Sequence, residues 1–278
     1  MANPEIQTVA IIPAYNEATT VGVVVAAALC AESIDAVVVV DDGSVDNTGV
    51  EASIAANVTP GAYKPFDLIT HRHNEGKTEA LMSGIDRARE LGSASLSTLV
   101  LLDADSSPIW SRDTSDNMKL WQLAINRLAG MSVDTLDEKT LIGREPVFTS
   151  LLARYIDEIT QPVISGKVKM RMGMYERNVV TDTFLTIVNW GGHAGNRAVR
   201  LIDWDEMLQC IEEKGATIRG WEIEAALNTF IDDSETSSFV MRGVVNVGSR
   251  RKAGSMYKGL LRMAKIHSQA VKGALKFR

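Results

Sequence analysis

Asp103 and Asp105 stand one residue apart at the end of the run LVLLDAD, residues 99–105. Four consecutive apolar residues, Leu99 to Leu102, read as a strand buried on both faces, so the two acids fall at its exit rather than in the core. Carboxylates placed there can converge on a hard divalent cation, which takes oxygen ligands and leaves its other positions to water or substrate phosphates. A cation held this way neutralises a diphosphate as it departs. A plain polar turn would use the same residues, and Asp-x-Asp alone does not separate the two.

Other polar clusters follow apolar runs in the same manner. PAYNE (13–17) supplies Pro13, Ala14, Tyr15, Asn16 and Glu17, and DDGS (41–44) supplies Asp41 and Asp42. An acid in the second turn can accept from a base imide N–H or a ribose hydroxyl. Lys77 follows Gly76 where a helix begins, a position suited to phosphate charge.

The elements that must position these groups alternate. TVAIIPAY, IDAVVVVDDGS, FDLITHR and STLVLLDAD read as strands; residues 19–31, NTGVEASIAAN and NEGKTEALMSGIDRARELG read as helices, the last stopped by Gly92. The order β-α-β-α-β-α-β over residues 1–105 predicts a parallel sheet with helices on both faces, a Rossmann-like α/β architecture. Ligands of such sheets bind outside the carboxyl ends of the strands, so the three clusters open onto one edge.

Beyond residue 105 the pattern changes. DNMKLWQLAINRLAG and PVFTSLLARYIDEIT predict amphipathic helices in an insertion over 106–164 carrying Trp110 and Trp121. KVKMRMGMYE and SFVMRGVVNVGS predict strands, WDEMLQCIEEKG a helix, and 255–278 a helical tail. The expected units are a nucleotide-binding half (1–105), the helical insertion (106–164), an acceptor-binding half (165–254) and the tail (255–278).

VAIIPAYNEATTVG, VVVVDDGSVDNT, GKTEALMSGI and LVLLDAD, in this order and spacing, resemble the family 2 glycosyltransferases of the GT-A fold. That resemblance implies a nucleotide-sugar donor, a UDP-sugar first, and Mg2+ or Mn2+. It implies that Pro13, Ala14, Tyr15 and Glu17 flank the nucleoside and that Asp42 contacts the base. Lys77 approaches the uracil or phosphates, Asp103 and Ala104 lie by the ribose or donor sugar, and Asp105 ligates the metal with Asp103. AGNRAVR, GWEIEAAL and VVNVGSRRKAG are similar in order to segments of the polyprenyl-phosphate sugar transferases and the glucosyl-3-phosphoglycerate synthases. On that likeness Arg171, Arg177 and Arg197 are candidates for an anionic, phosphate-bearing acceptor, and Glu222 joins Asp103 and Lys77 as a catalytic candidate. The segment VNVGSRRK lacks the metal-binding His of the phosphoglycerate synthases, His193 reads as a loop residue, and Asn196 stands where those relatives carry Glu.

Composition narrows the partners. The 278-residue chain has a net charge of −6, yet Arg250–Arg278 holds nine Lys/Arg and no acid, so the remainder is at −15. An acidic body argues against nucleic acid. Lys258, Arg262, Lys265, Lys272 and Lys276 share one helical face of the tail, which could lie on an anionic membrane or pack on its own domain. The insertion could form a lid, a homodimer contact or an ordinary subdomain. Cys30 and Cys210 make no metal spacing, the N-terminus shows no secretory pattern, and no apolar run reaches the roughly 18 residues of a membrane span. A cytoplasmic, at most peripheral, protein is expected.

Three rival readings remain. A sugar-phosphate nucleotidyltransferase would carry a Gly-rich, Arg-containing first loop, where this chain has PAYNEATT. A dinucleotide-dependent oxidoreductase would need Gly-x-Gly-x-x-Gly after the first strand, which is absent. A non-catalytic nucleotide- or partner-binding domain of the same fold would be expected to have lost part of the acid and Lys cluster, which is intact.

Overall fold

The structure is a computed structural model that describes residues 5–59, 63–108, 145–175, 196–220 and 222–246. The elements run β1 (Thr8–Ala14), α1 (Val21–Cys30), β2 (Ala36–Asp41), α2 (Thr48–Val58), β3 (Phe66–Thr70), α3 (Lys77–Gly92), β4 (Thr98–Leu101) and β5 (Ser106–Pro108). They continue with α4 (Glu145–Ile164), β6 (Met170–Tyr175), β7 (Asn196–Arg200), α5 (Leu201–Glu213), α6 (Glu222–Phe230), β8 (Thr236–Met241) and β9 (Val244–Asn246).

Seven strands form one sheet in the order β3-β2-β1-β4-β7-β6-β8. All neighbours are parallel except at β7, which is antiparallel to both β4 and β6. This is the mostly parallel, helix-flanked sheet expected from the alternation. The chain moves outward from β1 to β2 and β3, then returns to add β4 on the other side of β1. That reversal is the crevice where ligands of open α/β sheets bind.

Burial explains the strand sequences. Every residue of β2, AVVVVD, is buried, since helices cover both faces of a parallel sheet. On one face, α1, α2 and α4 close over Ala10, Ile12, Val37, Val39 and Val100. On the other, α3, α5 and α6 cover Val9, Ile11, Val38, Val40 and Leu99. Each fully buried Val, Ile or Leu contributes roughly 1.5–3 kcal/mol. Helix α1, VGVVVAAALC, is apolar nearly all round because it lies between the sheet, α2 and α4.

Helix α4 belongs to that same layer. Its Asp157 accepts from Ser33 N at 2.8 Å, Ser33 Oγ at 2.6 Å and Glu32 N at 3.2 Å, fastening α4 to the turn between α1 and β2. Residues 109–144 of the expected insertion, with Trp110, Trp121 and the helix expected over 116–130, lie outside the described residues, as do Arg177, His193 and the tail. No helix among the described residues is long and apolar enough to cross a membrane.

The stretch read as a single strand over 238–249 is broken. Gly243 adopts a φ of 81°, turning the chain so that β9 leaves the main sheet and pairs antiparallel with β5. The register sets Asn246 opposite Ser106, directly beyond Asp105.

Candidate active site

The parallel direction of β1, β2, β3, β4, β6 and β8 brings their carboxyl ends to one edge, and reversed β7 presents its first residue there. Pro13, Ala14, Asp41, Asp42, Asp103, Ala104, Asp105, Tyr175 and Asn196 therefore share that edge.

The first two polar loops are strapped together. Asn16 has a φ of 56°, a left-handed conformation that Asn tolerates better than most residues. Its N–H donates to Ser44 Oγ, and its Oδ1 accepts from Val45 N, both at 2.9 Å. Glu17 N donates to Thr48 Oγ1 at 2.8 Å. Tyr15 stays 43% exposed, leaving its ring available to a flat ligand.

Asp42 is almost wholly buried. Its Oδ1 accepts from His71 Nδ1 at 2.8 Å and Glu75 N at 2.9 Å, and its Oδ2 from Gly76 N at 2.9 Å. This carboxylate organises the loop that leads into Lys77. Gly43 fits beneath that loop only because it lacks a side chain: a Cβ there would come within 2.4 Å of the His73 carbonyl carbon.

At the switch point, opposite charges alternate. Lys77 Nζ lies 2.7 Å from Asp103 Oδ1 and also pairs with Glu224. Glu224 Oε2 lies 3.5 Å from Arg197 Nη2, and Arg197 Nη1 donates to the Glu224 carbonyl at 3.3 Å and to Asn228 Oδ1 at 2.8 Å. On the other side, Tyr175 Oη donates to Asp103 Oδ2 at 3.2 Å and lies 3.0 Å from Ser106 Oγ. Asp103 N donates to Asn196 Oδ1 at 3.0 Å.

Burial alone would push the Lys77 ammonium down, but the Asp103 and Glu224 carboxylates overcome it and hold Lys77 well above its ordinary range. Burial, followed by the Asp103 and Asp105 charges, drives the Tyr175 phenol well above its usual value. Lys77 is thus a fixed cation and Tyr175 a fixed O–H donor. Buried charges this close persist because each has an opposite partner.

Of the sequence candidates, Lys77, Asp103, Ala104, Asp105 and Arg197 come together. Glu222 is buried, and its carboxylate accepts from Arg219 N at 3.2 Å near the start of α6. The acid two positions on, Glu224, is the one that meets Lys77. Arg171 lies apart from the cluster: its guanidinium sits 5.0 Å from the Phe239 ring centroid and 3.5 Å from Glu158 of α4. Sequence reading did not assign roles to Tyr175, Glu224 and His71, whose partners lie far away in the chain.

Residues 9–109 match the family described as "Glycosyl transferase family 2". Among solved structures, the chain is similar to glucosyl-3-phosphoglycerate synthase from Mycobacterium tuberculosis in complex with Mn2+, uridine diphosphate and phosphoglyceric acid. That likeness has 14% identity and a TM-score of 0.56, covering 98% of this chain and 78% of that one. The same enzyme with Mn2+, uridine diphosphate and glucosyl-3-phosphoglycerate gives 15% identity and a TM-score of 0.54 over 95% and 80% of the two chains. A structure described as a mycobacterial protein gives 16% and 0.52 over 95% and 75%. No curated protein matches. The structural likenesses establish the GT-A fold. The family match spans β1 to β5, residues 9–109 of the 278.

Proposed function

We propose that the protein transfers a sugar from a nucleoside-diphosphate sugar, a UDP-sugar first, to an anionic phosphate-bearing acceptor, with Mg2+ or Mn2+. The observation that carries this reading is Lys77 held between Asp103 and Glu224 at the sheet's switch point.

Asp103 and Asp105 offer hard oxygen donors at one strand end, which fits such a cation. Among the described residues no third His, Cys, Asp or Glu completes a metal-binding group; water and the donor diphosphate are further oxygen ligands for such a cation. When bound, the cation would neutralise the departing diphosphate.

The chain's own residues do the rest. Pro13, Ala14, Tyr15 and Glu17 border the nucleoside, and Asp42 lies on the base side. Lys77 supplies positive charge for the phosphates, while Tyr175 orients Asp103. Asp103 and Ala104 lie beside the ribose or donor sugar, and Glu224 faces the transferred sugar, whereas Glu222 points to another side of the same helix. The relatives' phosphoglyceric acid complexes support a phosphorylated small acid as acceptor. A polyprenyl phosphate is the other form of the same chemistry, and the basic tail at 255–278 would then meet an anionic membrane. Arg177 is the proposed source of charge for the acceptor, Arg197 requiring release from Glu224 and Arg171 from Glu158 to join it. An inverting reaction on a hydroxyl acceptor needs a carboxylate to take its proton, whereas a phosphate oxyanion needs none. A retaining reaction would proceed by attack from the leaving-group face.

The test is a titration of UDP into the protein with and without Mn2+, alongside Asp105→Ala. Binding that requires Mn2+ and is lost in the variant supports the reading. Equal binding in all arms removes Asp105 from the metal site, and no binding of UDP or GDP sinks the donor assignment. Turnover of a UDP-sugar panel with a phosphorylated acid or with a polyprenyl phosphate then separates the acceptors.

A further inference from the structure

Asp42, His71 and Ser83 form a buried chain beneath the loop that delivers Lys77, outside the acid and Lys cluster itself. His71 directly follows β3, its side chain 9% exposed and that of Asp42 5%. One ring nitrogen, Nδ1, is 2.8 Å from Asp42 Oδ1; the other, Nε2, is 3.0 Å from Ser83 Oγ on α3. An ionised carboxylate only accepts, so Nδ1 carries the proton. In the neutral ring Nε2 then accepts from the Ser83 hydroxyl.

The geometry points to His71 as a positioning residue that, through Asp42, sets the direction of Lys77. The inference rests on the donor-site reading of Lys77. The imidazole is the side-chain donor that, with two backbone N–H groups, fixes the Asp42 carboxylate. Once fixed, its two oxygens receive the N–H groups of Glu75 and Gly76, and the next residue is Lys77. Because Ser83 lies on α3, which Lys77 begins, the ring joins both ends of the same unit: the loop that enters the helix and the helix itself. Backbone contacts alone leave this loop less constrained. His71 N donates to the Asp41 carbonyl at 2.9 Å, four residues before the Glu75 amide. Without the ring, the Asp42 carboxylate is held by the Glu75 and Gly76 amides alone, and Lys77 enters the site from a looser support. Groups that position others in this way act by removing conformational freedom from the site.

The test uses the full chain with His71→Leu, which keeps much of the volume and lacks the donor, His71→Asn, whose side-chain amide can donate from near the Nδ1 position, and Ser83→Ala. Two readouts are taken: UDP affinity in the presence of Mn2+, and hydrogen exchange of the Glu75 and Gly76 amides. The expected result is a tenfold or greater loss of UDP affinity in His71→Leu with faster exchange at those two amides, recovery of both to within threefold of wild type in His71→Asn, and a smaller loss in Ser83→Ala. A folded His71→Leu with unchanged affinity and exchange overturns the inference, as does His71→Asn behaving like His71→Leu. If His71→Leu does not fold, unchanged exchange in Ser83→Ala together with no advantage of His71→Asn over Ser83→Ala overturns it. If the wild type itself binds no UDP, the donor reading fails, and the exchange at Glu75 and Gly76 alone decides the role of His71.

Discussion

Lys77 and Glu224 are 147 residues apart in the chain and form an ion pair inside the protein, at the helix start that faces the switch point. Their pairing makes α6 part of the candidate site and singles out Glu224 rather than Glu222 on that helix. Residues two apart on a helix point about 200° from each other, so the two acids cannot serve the same side. We expect Glu224→Gln to lower kcat/KM by about 10- to 100-fold, the loss of about 1.4–3 kcal/mol typical of a charged hydrogen bond. Glu222→Gln should change it less than about threefold. Steady-state kinetics on both variants decides, and the reverse ranking would return the catalytic role to Glu222.

Tyr175 gives a dependence on pH. Its folded phenol titrates well above its ordinary value of 10.0, whereas the unfolded phenol loses its proton near that value. The native state therefore binds more protons at high pH, and stability present below about pH 10 is lost as pH rises. Lys77, raised in the same direction from 10.5, adds to this loss over a similar range. Tyr175→Phe removes the tyrosine part along with the hydrogen bonds to Asp103 and Ser106. Its melting temperature should fall at pH 8, consistent with loss of about 1–2 kcal/mol, and decline less steeply than that of the wild type from pH 9.5 to 11. Parallel curves would show that Tyr175 does not govern the alkaline limb.

The half of the site read from the sequence is the half built by local pattern. β2 and β4 are continuous apolar runs because parallel strands are covered on both faces, and each ends in acids that cannot remain in the core. Asp42, Asp103 and Asp105 were visible for that reason, and Lys77 because it follows Gly76 at the start of a helix. Tyr175 and Asn196 were not, because their roles come from Asp103, at separations of 72 and 93 residues. The burial of Arg197 on β7 makes sense only once that strand is seen to run antiparallel beside β4 and to face α6. The single strand expected over 238–249 failed at Gly243, where a positive φ redirected the chain into a second pairing.

Gly43 and Gly76 both have positive φ, but only Gly43 is also crowded. A Cβ at Gly43 would meet the His73 backbone, while one at Gly76 would meet nothing within 4 Å. Gly43→Ala should therefore cost about 2–4 kcal/mol and move the 71–76 loop. Gly76→Ala should cost about 1–2 kcal/mol, from conformational strain alone. Urea unfolding of the two variants measures the difference. Equal costs would mean that the loop shifts to admit the Gly43→Ala methyl.

Arg171 supplies the remaining test, because its surroundings offer it a complete role in packing. Its guanidinium lies over Phe239, near Ser237 Oγ at 3.4 Å and Glu158 at 3.5 Å. A planar cation on an aromatic face is worth about 0.5–1 kcal/mol where partly exposed, and a half-exposed pair with Glu158 adds at most about 1 kcal/mol. Arg171→Ala should lower stability by about 1–2 kcal/mol. Arg171→Lys should recover only part of this, since an ammonium lacks the flat face. Neither should alter KM for a phosphorylated acceptor by more than about threefold, a change of about 0.6 kcal/mol. A tenfold rise in acceptor KM with an unchanged melting temperature would instead show that Arg171 exchanges Glu158 and Phe239 for the acceptor during the reaction, and α4 would then have to open the path that its Glu158 now occupies.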